Sequence, residues 1–143
     1  RLYAVYGPGE PIQDRFIPQL ILQGLKKEYP PFVPAAVTRD FVYVDDVCDA
    51  FIQTAIRLDP EHRGESFNIG TGIATSIGVM AHLAKAVFNI PKEPIFGDPA
   101  REYDLKGEWR ANTLKSRQVL GWRSTTGIYD GIRETARWYR ESY

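Results

Sequence analysis

The chain has almost no cysteine, histidine or methionine, and each scarcity removes a class of chemistry. With one cysteine, Cys48, and two histidines in 143 residues, no internal disulfide can form and no Cys/His cluster has metal-ligand spacing. His62 falls in a polar stretch and His82 inside a helical pattern, and neither sits in a Ser/His/Asp or Cys/His context that would support nucleophilic catalysis. Catalytic and metal roles are therefore assigned to no residue, and Cys48 is expected to be a small buried hydrophobe. Charge of one sign is lacking as well. Eighteen basic residues balance eighteen acidic ones, which argues against a nucleic acid or a membrane surface as a partner held by net charge. No apolar run approaches the roughly 18 residues of a membrane-spanning helix, and no signal-like segment opens the chain. A cytoplasmic setting is the simplest expectation. An initiating methionine is also missing, and Arg1–Tyr6 reads as a strand already under way, so the chain is expected to be part of a longer protein.

What is present is the composition of an ordinary globular domain, 43% apolar and 25% charged, with neither a repeat nor a low-complexity tract. Helices and short strands alternate, which predicts an α/β fold with a sheet too small to be complete. The opening strand should break at Gly7-Pro8-Gly9-Glu10-Pro11, and Ile17, Leu20, Ile21 and Leu25 then share one helical face, with Pro18 tolerable in the first turn. A helix over 46–58 should bury Val47, Phe51 and Ala55. Ser66–Ile69 reads as a short strand running into Gly70-Thr71-Gly72, and Thr75 or Ser76 should cap a helix carrying Ile77, Met80, Leu83, Ala84 and Val87. A strand near Trp109 and helices at about 113–119 and 126–141 complete the pattern, the last using Ile128, Ile132, Ala136 and Tyr139.

Three constellations bear on function. Arg39-Asp40-Phe41-Val42-Tyr43-Val44-Asp45-Asp46-Val47 joins a guanidinium at a strand start to an acidic helix start capped by Asp45 or Asp46. Arg39 can offer its planar fork to a phosphate or carboxylate, or simply pair with Asp40. Gly70-x-Gly72-x-x-Thr75 is a near miss to the dinucleotide fingerprint: its third glycine is absent and strands precede it, so an ordinary turn fits better. Arg101-Glu102-Tyr103-Asp104 lies in an irregular stretch where an Arg and an Asp three residues apart can hold an anion and a hydroxyl from one segment.

In order along the chain, Arg1-Leu2-Tyr3-Ala4-Val5-Tyr6-Gly7-Pro8-Gly9, Phe16-Ile17-Pro18, Arg39–Asp46, Phe67-Asn68-Ile69-Gly70-Thr71-Gly72 and Leu120-Gly121-Trp122 resemble the C-terminal blocks of the NAD-dependent nucleotide-sugar epimerase/dehydratase family, the extended short-chain dehydrogenases/reductases. The resemblance implies that residues 1–143 are the nucleotide-sugar-binding portion of an extended Rossmann-type fold. NAD or NADP would be bound mainly by an N-terminal half that this chain lacks. It further implies that Arg39 and Arg101 are ligands of the substrate diphosphate, that Asp104 meets a ribose hydroxyl, and that Phe16, Ile17 and Pro18 begin a helix beside the nucleotide base. The partner would be a nucleotide-diphosphate sugar and the parent enzyme a homodimer.

The chain departs from the family pattern in two ways. Ala4 stands where the family has Asn, and no lysine has a tyrosine four residues before it, so the family's Tyr-x-x-x-Lys is absent and this portion alone should not catalyse. A non-catalytic nucleotide-sugar-binding or scaffold module is the alternative, and a structural remnant without a ligand is a third reading.

Overall fold

Short apolar runs at the start of the chain and after Arg39 build the centre of the molecule. In the computed structural model, which describes residues 1–10, 15–97 and 99–142, strand β1 (Ala4–Tyr6) lies parallel to β3 (Phe41–Tyr43), with Ala4 opposite Phe41 and Tyr6 opposite Tyr43. Leu2 extends this pairing by a single parallel bridge to Ile69. A second small sheet pairs β2 (Thr38–Arg39) antiparallel with β4 (Thr75–Ser76), so that Arg39 sits opposite Thr75.

Side chains alternate across a strand, and here the alternation divides the core. Tyr6, Phe41 and Tyr43 face a cluster built from α1 (Phe16–Leu25), α3 (Ile77–Phe88) and α5 (Ile128–Ser142), whereas Val42 faces a smaller cluster with Val47, Ala50, Phe67, Ile69, Leu120 and Trp122. The smaller cluster is covered by α2 (Val44–Arg57) and α4 (Leu114–Leu120). Helices α1 and α3 touch closely because Gly24 carries no side chain; a Cβ there would lie 2.3 Å from the Phe88 ring.

The helical periodicities of α1, α3 and α5 are borne out, and Ser76 is the residue that caps α3, its hydroxyl accepting from the Val79 N–H at 3.1 Å. Several expectations are corrected. Helix α2 starts at Val44 and buries Val47 and Ala50, while Phe51 and Ala55 are exposed, because α4 and β1 cover only the Val47–Ala50 side. Cys48 lies on that uncovered face and is exposed rather than buried. Ser66–Ile69 contributes one bridge instead of a strand, and Trp109–Asn112 is irregular chain without strand pairing among the described residues. The turn after β1 forms at Pro8-Gly9; Pro11, also expected there, lies outside the described residues.

Candidate functional site

The two aspartates of the block 39–47 do different work from that expected. Asp40 does not pair with Arg39. Its carboxylate is buried and accepts hydrogen bonds from the Thr71 N–H at 2.7 Å, the Thr71 hydroxyl at 2.6 Å, the Gly72 N–H at 2.8 Å and the Ala111 N–H at 2.9 Å. This explains the glycines of the Gly70-Thr71-Gly72 turn. A Cβ on Gly70 would stand 2.9 Å from an Asp40 carboxylate oxygen, and Gly72 takes φ +80°, a conformation glycine adopts without strain.

Asp46 caps no helix, because α2 begins two residues before it and leaves it inside the first turn. Its carboxylate instead gathers the chain between α4 and α5: the Ser124 hydroxyl at 2.7 Å, the N–H groups of Thr125 and Thr126 at 3.2 and 3.0 Å, and their hydroxyls at 2.9 and 3.2 Å. Burial pushes this carboxyl up, but the hydrogen bonds from Ser124, Thr126 and Thr125 outweigh it and hold the group below the usual carboxylate range.

With Asp40 occupied, the Arg39 guanidinium is turned elsewhere. It donates to Asp104 Oδ1 at 2.6 Å and to the Thr38 carbonyl at 2.7 Å, keeping about a third of its side chain exposed. Arg39 and Asp104 line one cavity of about 420 Å³ together with Phe16, Ile17, Val33, Val37, Phe41 and Ile77. Tyr3, Ala4, Val5, Glu10 and Arg15 complete its lining. Four of the six residues singled out in the sequence, Arg39, Asp104, Phe16 and Ile17, thus converge. Pro18 is buried in α1 and Arg101 is exposed just before the short 3-10 turn Glu102–Leu105; neither lines the cavity. The Arg101 carbonyl accepts the Asp104 N–H at 2.9 Å, which ties the two residues into one turn.

Sequence reading missed Glu10 and Arg15. Arg15 Nε meets Glu10 Oε1 at 2.8 Å, and its Nη2 donates to the Val5 carbonyl at 3.2 Å. The other carboxylate oxygen of Glu10 is buried without a hydrogen-bond partner among the described residues, and burial pushes its carboxyl up although Arg15 pulls the other way. Both residues also border a second cleft of about 550 Å³, lined by Val5–Glu10 and Val44. The only signal for them in sequence is their position beside the Gly-Pro-Gly turn, since the contact closes across intervening residues.

Chemically, the cavity combines an apolar lining with two guanidinium–carboxylate pairs, Arg15–Glu10 and Arg39–Asp104. Guanidinium forks match the oxygens of a phosphate bidentately.

Residues 1–70 match the model of the NAD dependent epimerase/dehydratase family. UDP-glucose 4-epimerase of Mycolicibacterium smegmatis is 34% identical over 141 residues, covering 95% of this chain and 43% of the relative. The crystal structure of UDP-glucose 4-epimerase from the hyperthermophile Thermotoga maritima, solved with UDP-glucose, aligns with a TM-score of 0.86 at 28% identity, covering 99% of this chain and 45% of that one. The Bordetella bronchiseptica enzyme WbmF, solved with NAD+ and UDP, aligns with a TM-score of 0.83 at 30% identity, covering 99% and 45%. The chain therefore spans less than half the length of these proteins, and its α/β architecture is part of their Rossmann-type fold. The glycine turn in this portion does not fit a dinucleotide, because the Thr71 and Gly72 N–H groups that would cradle a pyrophosphate already donate to Asp40. None of the described helices is long and apolar enough to cross a membrane.

Proposed function

We propose, for a chain that belongs to the NAD-dependent epimerase/dehydratase family, that residues 1–143 are the substrate-binding C-terminal portion of an NAD(P)-dependent nucleotide-sugar epimerase or dehydratase. The observation that carries this reading is the convergence of Arg39, Asp104, Phe16 and Ile17 on one cavity from three separate stretches of sequence. Phe16, Ile17, Val33 and Val37 take the base by apolar contact, Arg39 takes the diphosphate, and Asp104 accepts from a ribose hydroxyl. In the free chain Asp104 holds the Arg39 fork in place, so substrate binding exchanges an internal ion pair for two contacts with one ligand. Arg101, exposed on the same turn, closes over the diphosphate from outside. These residues position a sugar; they do not oxidise it.

The remaining half supplies NAD or NADP and the proton-transfer residues, and covers apolar side chains such as Phe51, Ile52 and Ile56 that α2 leaves exposed. The parent enzyme is cytoplasmic and homodimeric in this reading. The complete reading frame separates it from a scaffold module: an upstream glycine-rich loop with Tyr-x-x-x-Lys supports the enzyme, and its absence leaves a binding module.

The direct test is calorimetric titration of UDP into the protein made from its complete reading frame. Arg39→Ala should weaken binding by roughly 1.5–3 kcal/mol, the scale of a hydrogen bond to a charged group, with Arg39→Lys recovering part of the loss. Unchanged affinity in Arg39→Ala would remove the reading.

A further inference from the structure

Helix α5 carries its arginines on one stripe. Arg133, Arg137 and Arg140 stand at i, i+4 and i+7, a spacing that brings them to a single face, and all three are exposed. With Val87 of α3, Glu134 and Ala136 they line a cavity of about 200 Å³ that shares no lining residue with the cavity at Arg39 or the cleft at the Gly-Pro-Gly turn. Two of the guanidiniums are held by their own helix. Arg133 lies over the Tyr129 ring, 5.6 Å from its centroid, and Arg137 Nη2 pairs with Glu134. Lys27 brings a further cation to the same end of α3, where its ammonium donates to the carbonyl of Phe88, the residue after Val87.

The helix macrodipole accounts for only one of the three arginines. It favours a cation in the last turn and falls off within that turn, which explains Arg140 but neither Arg137 nor Arg133, the latter in the first half of α5. Pairing with Glu134 explains Arg137 alone, and an exposed ion pair of this kind contributes little to stability. The chain as a whole is neutral, with eighteen residues of each sign, so three guanidiniums around one carboxylate form a local excess of positive charge.

Size and geometry select the ligand. A cavity of about 200 Å³ lies below the roughly 300–1,000 Å³ of pockets that hold drug-sized molecules, so it takes a phosphate group with part of its water and not a base with its ribose. Guanidinium forks match phosphate oxygens bidentately, and a dianion answers the net excess of two positive charges in the lining. We propose that Arg133, Arg137 and Arg140 form an anion site for a phosphate dianion, either inorganic or the end of a phosphate monoester, separate from the cavity at Arg39 and independent of nucleotide-sugar binding there.

The experiment uses protein from the complete reading frame, melted in increasing inorganic phosphate, glycerol 3-phosphate or nitrate. Ionic strength is held constant with chloride at about pH 8, where both phosphates are dianions. A ligand of the folded state raises the melting temperature saturably, and the concentration dependence gives its apparent dissociation constant. At least one phosphate should do so and nitrate should not; a response to only one of the two phosphates assigns the site to the free anion or to the ester. Arg133→Gln and Arg140→Gln should each raise the apparent dissociation constant roughly tenfold, the effect of losing a hydrogen bond to a charged group, and Arg140→Lys should keep part of the affinity. Should a variant melt differently without phosphate, the dissociation constant still decides. Arg39→Ala should leave the phosphate response in place. A response lost in Arg39→Ala and unchanged in Arg133→Gln and Arg140→Gln puts the phosphate in the substrate cavity and overturns the proposal. An equal response to nitrate reduces it to charge screening, and no response to either phosphate makes the stripe an ordinary solvated surface.

Discussion

Asp40 and Asp46 on one side, and Glu10 and Asp104 on the other, are four carboxylates handled in two ways by one fold. Asp40 and Asp46 receive four and five hydrogen bonds from backbone N–H groups and hydroxyls, all neutral donors, and they tie together segments 31 to 80 residues apart. Glu10 and Asp104 each face a guanidinium at the wall of an open cavity. A carboxylate saturated by neutral donors has nothing left to exchange, and a ligand gains nothing by approaching it. One paired with a single cation beside a cavity can release that cation to an incoming anion. The first arrangement builds architecture, and the second is the one on which the proposed binding site rests.

The largest effect that would break this contrast comes from Asp40. Asp40→Ala strands the N–H groups of Thr71, Gly72 and Ala111 around a buried gap, and each unsatisfied buried donor costs about 1–3 kcal/mol. A stability loss of at least about 3 kcal/mol is expected from denaturant unfolding. Near-native stability in this variant would mean that Asp40 is no architectural anchor, and the distinction between the two kinds of carboxylate would fall.

How much of this could be read in the sequence follows the same division. The helices α1, α3 and α5 were legible because apolar spacing is a local property, and Ser76 was a legible cap because its partner is three residues away. Asp40 and Asp46 were misassigned because their donors come from the distant segments 71–72, 111 and 124–126, and no local pattern announces a carboxylate that will be met from so far. The α2 face failed for a related reason. Val47, Phe51 and Ala55 are correctly spaced, but which side of a helix is covered depends on α4 and β1. Of the site, Arg39 and Asp104 stand out by their charge in a strand start and an irregular stretch and Phe16 and Ile17 through the motif resemblance, whereas Arg15 and Glu10, bound to no recognised block, become visible only in the lining of the cavity.

An intermediate effect is expected at Asp46. Asp46→Asn keeps the shape of the side chain but replaces an acceptor-only group with one that accepts through a single oxygen, and a loss of about 2 kcal/mol near neutral pH should follow. Its pH dependence sharpens the comparison. The folded pKa is depressed, so the carboxylate contributes stability that is present above its unfolded value near ~3.9 and is lost as pH falls through the folded value. Thermal melts should therefore show the gap between wild type and Asp46→Asn narrowing in acid; a gap constant from neutral pH into acid would remove the charge from the explanation.

The smallest effect, and the one that separates the two kinds of carboxylate most cleanly, belongs to Glu10. Burial raises its pKa, with Arg15 offsetting only part of the shift, so the sign is reversed. The group contributes stability that is fully present below its unfolded value near ~4.3 and is lost as pH rises through the folded value. Glu10→Gln keeps the volume and removes the charge. It should melt with or slightly above wild type at neutral pH, by under about 1 kcal/mol because Arg15 is largely solvated, and the difference should vanish in acid. Across one pH series of melts, wild type should then gain on Asp46→Asn and fall behind Glu10→Gln as pH rises. If Glu10→Gln instead loses stability with rising pH as Asp46→Asn does, Glu10 is an architectural carboxylate like Asp46. The division between closed anchors and exchangeable pairs would then have to be redrawn around Arg39 and Asp104 alone.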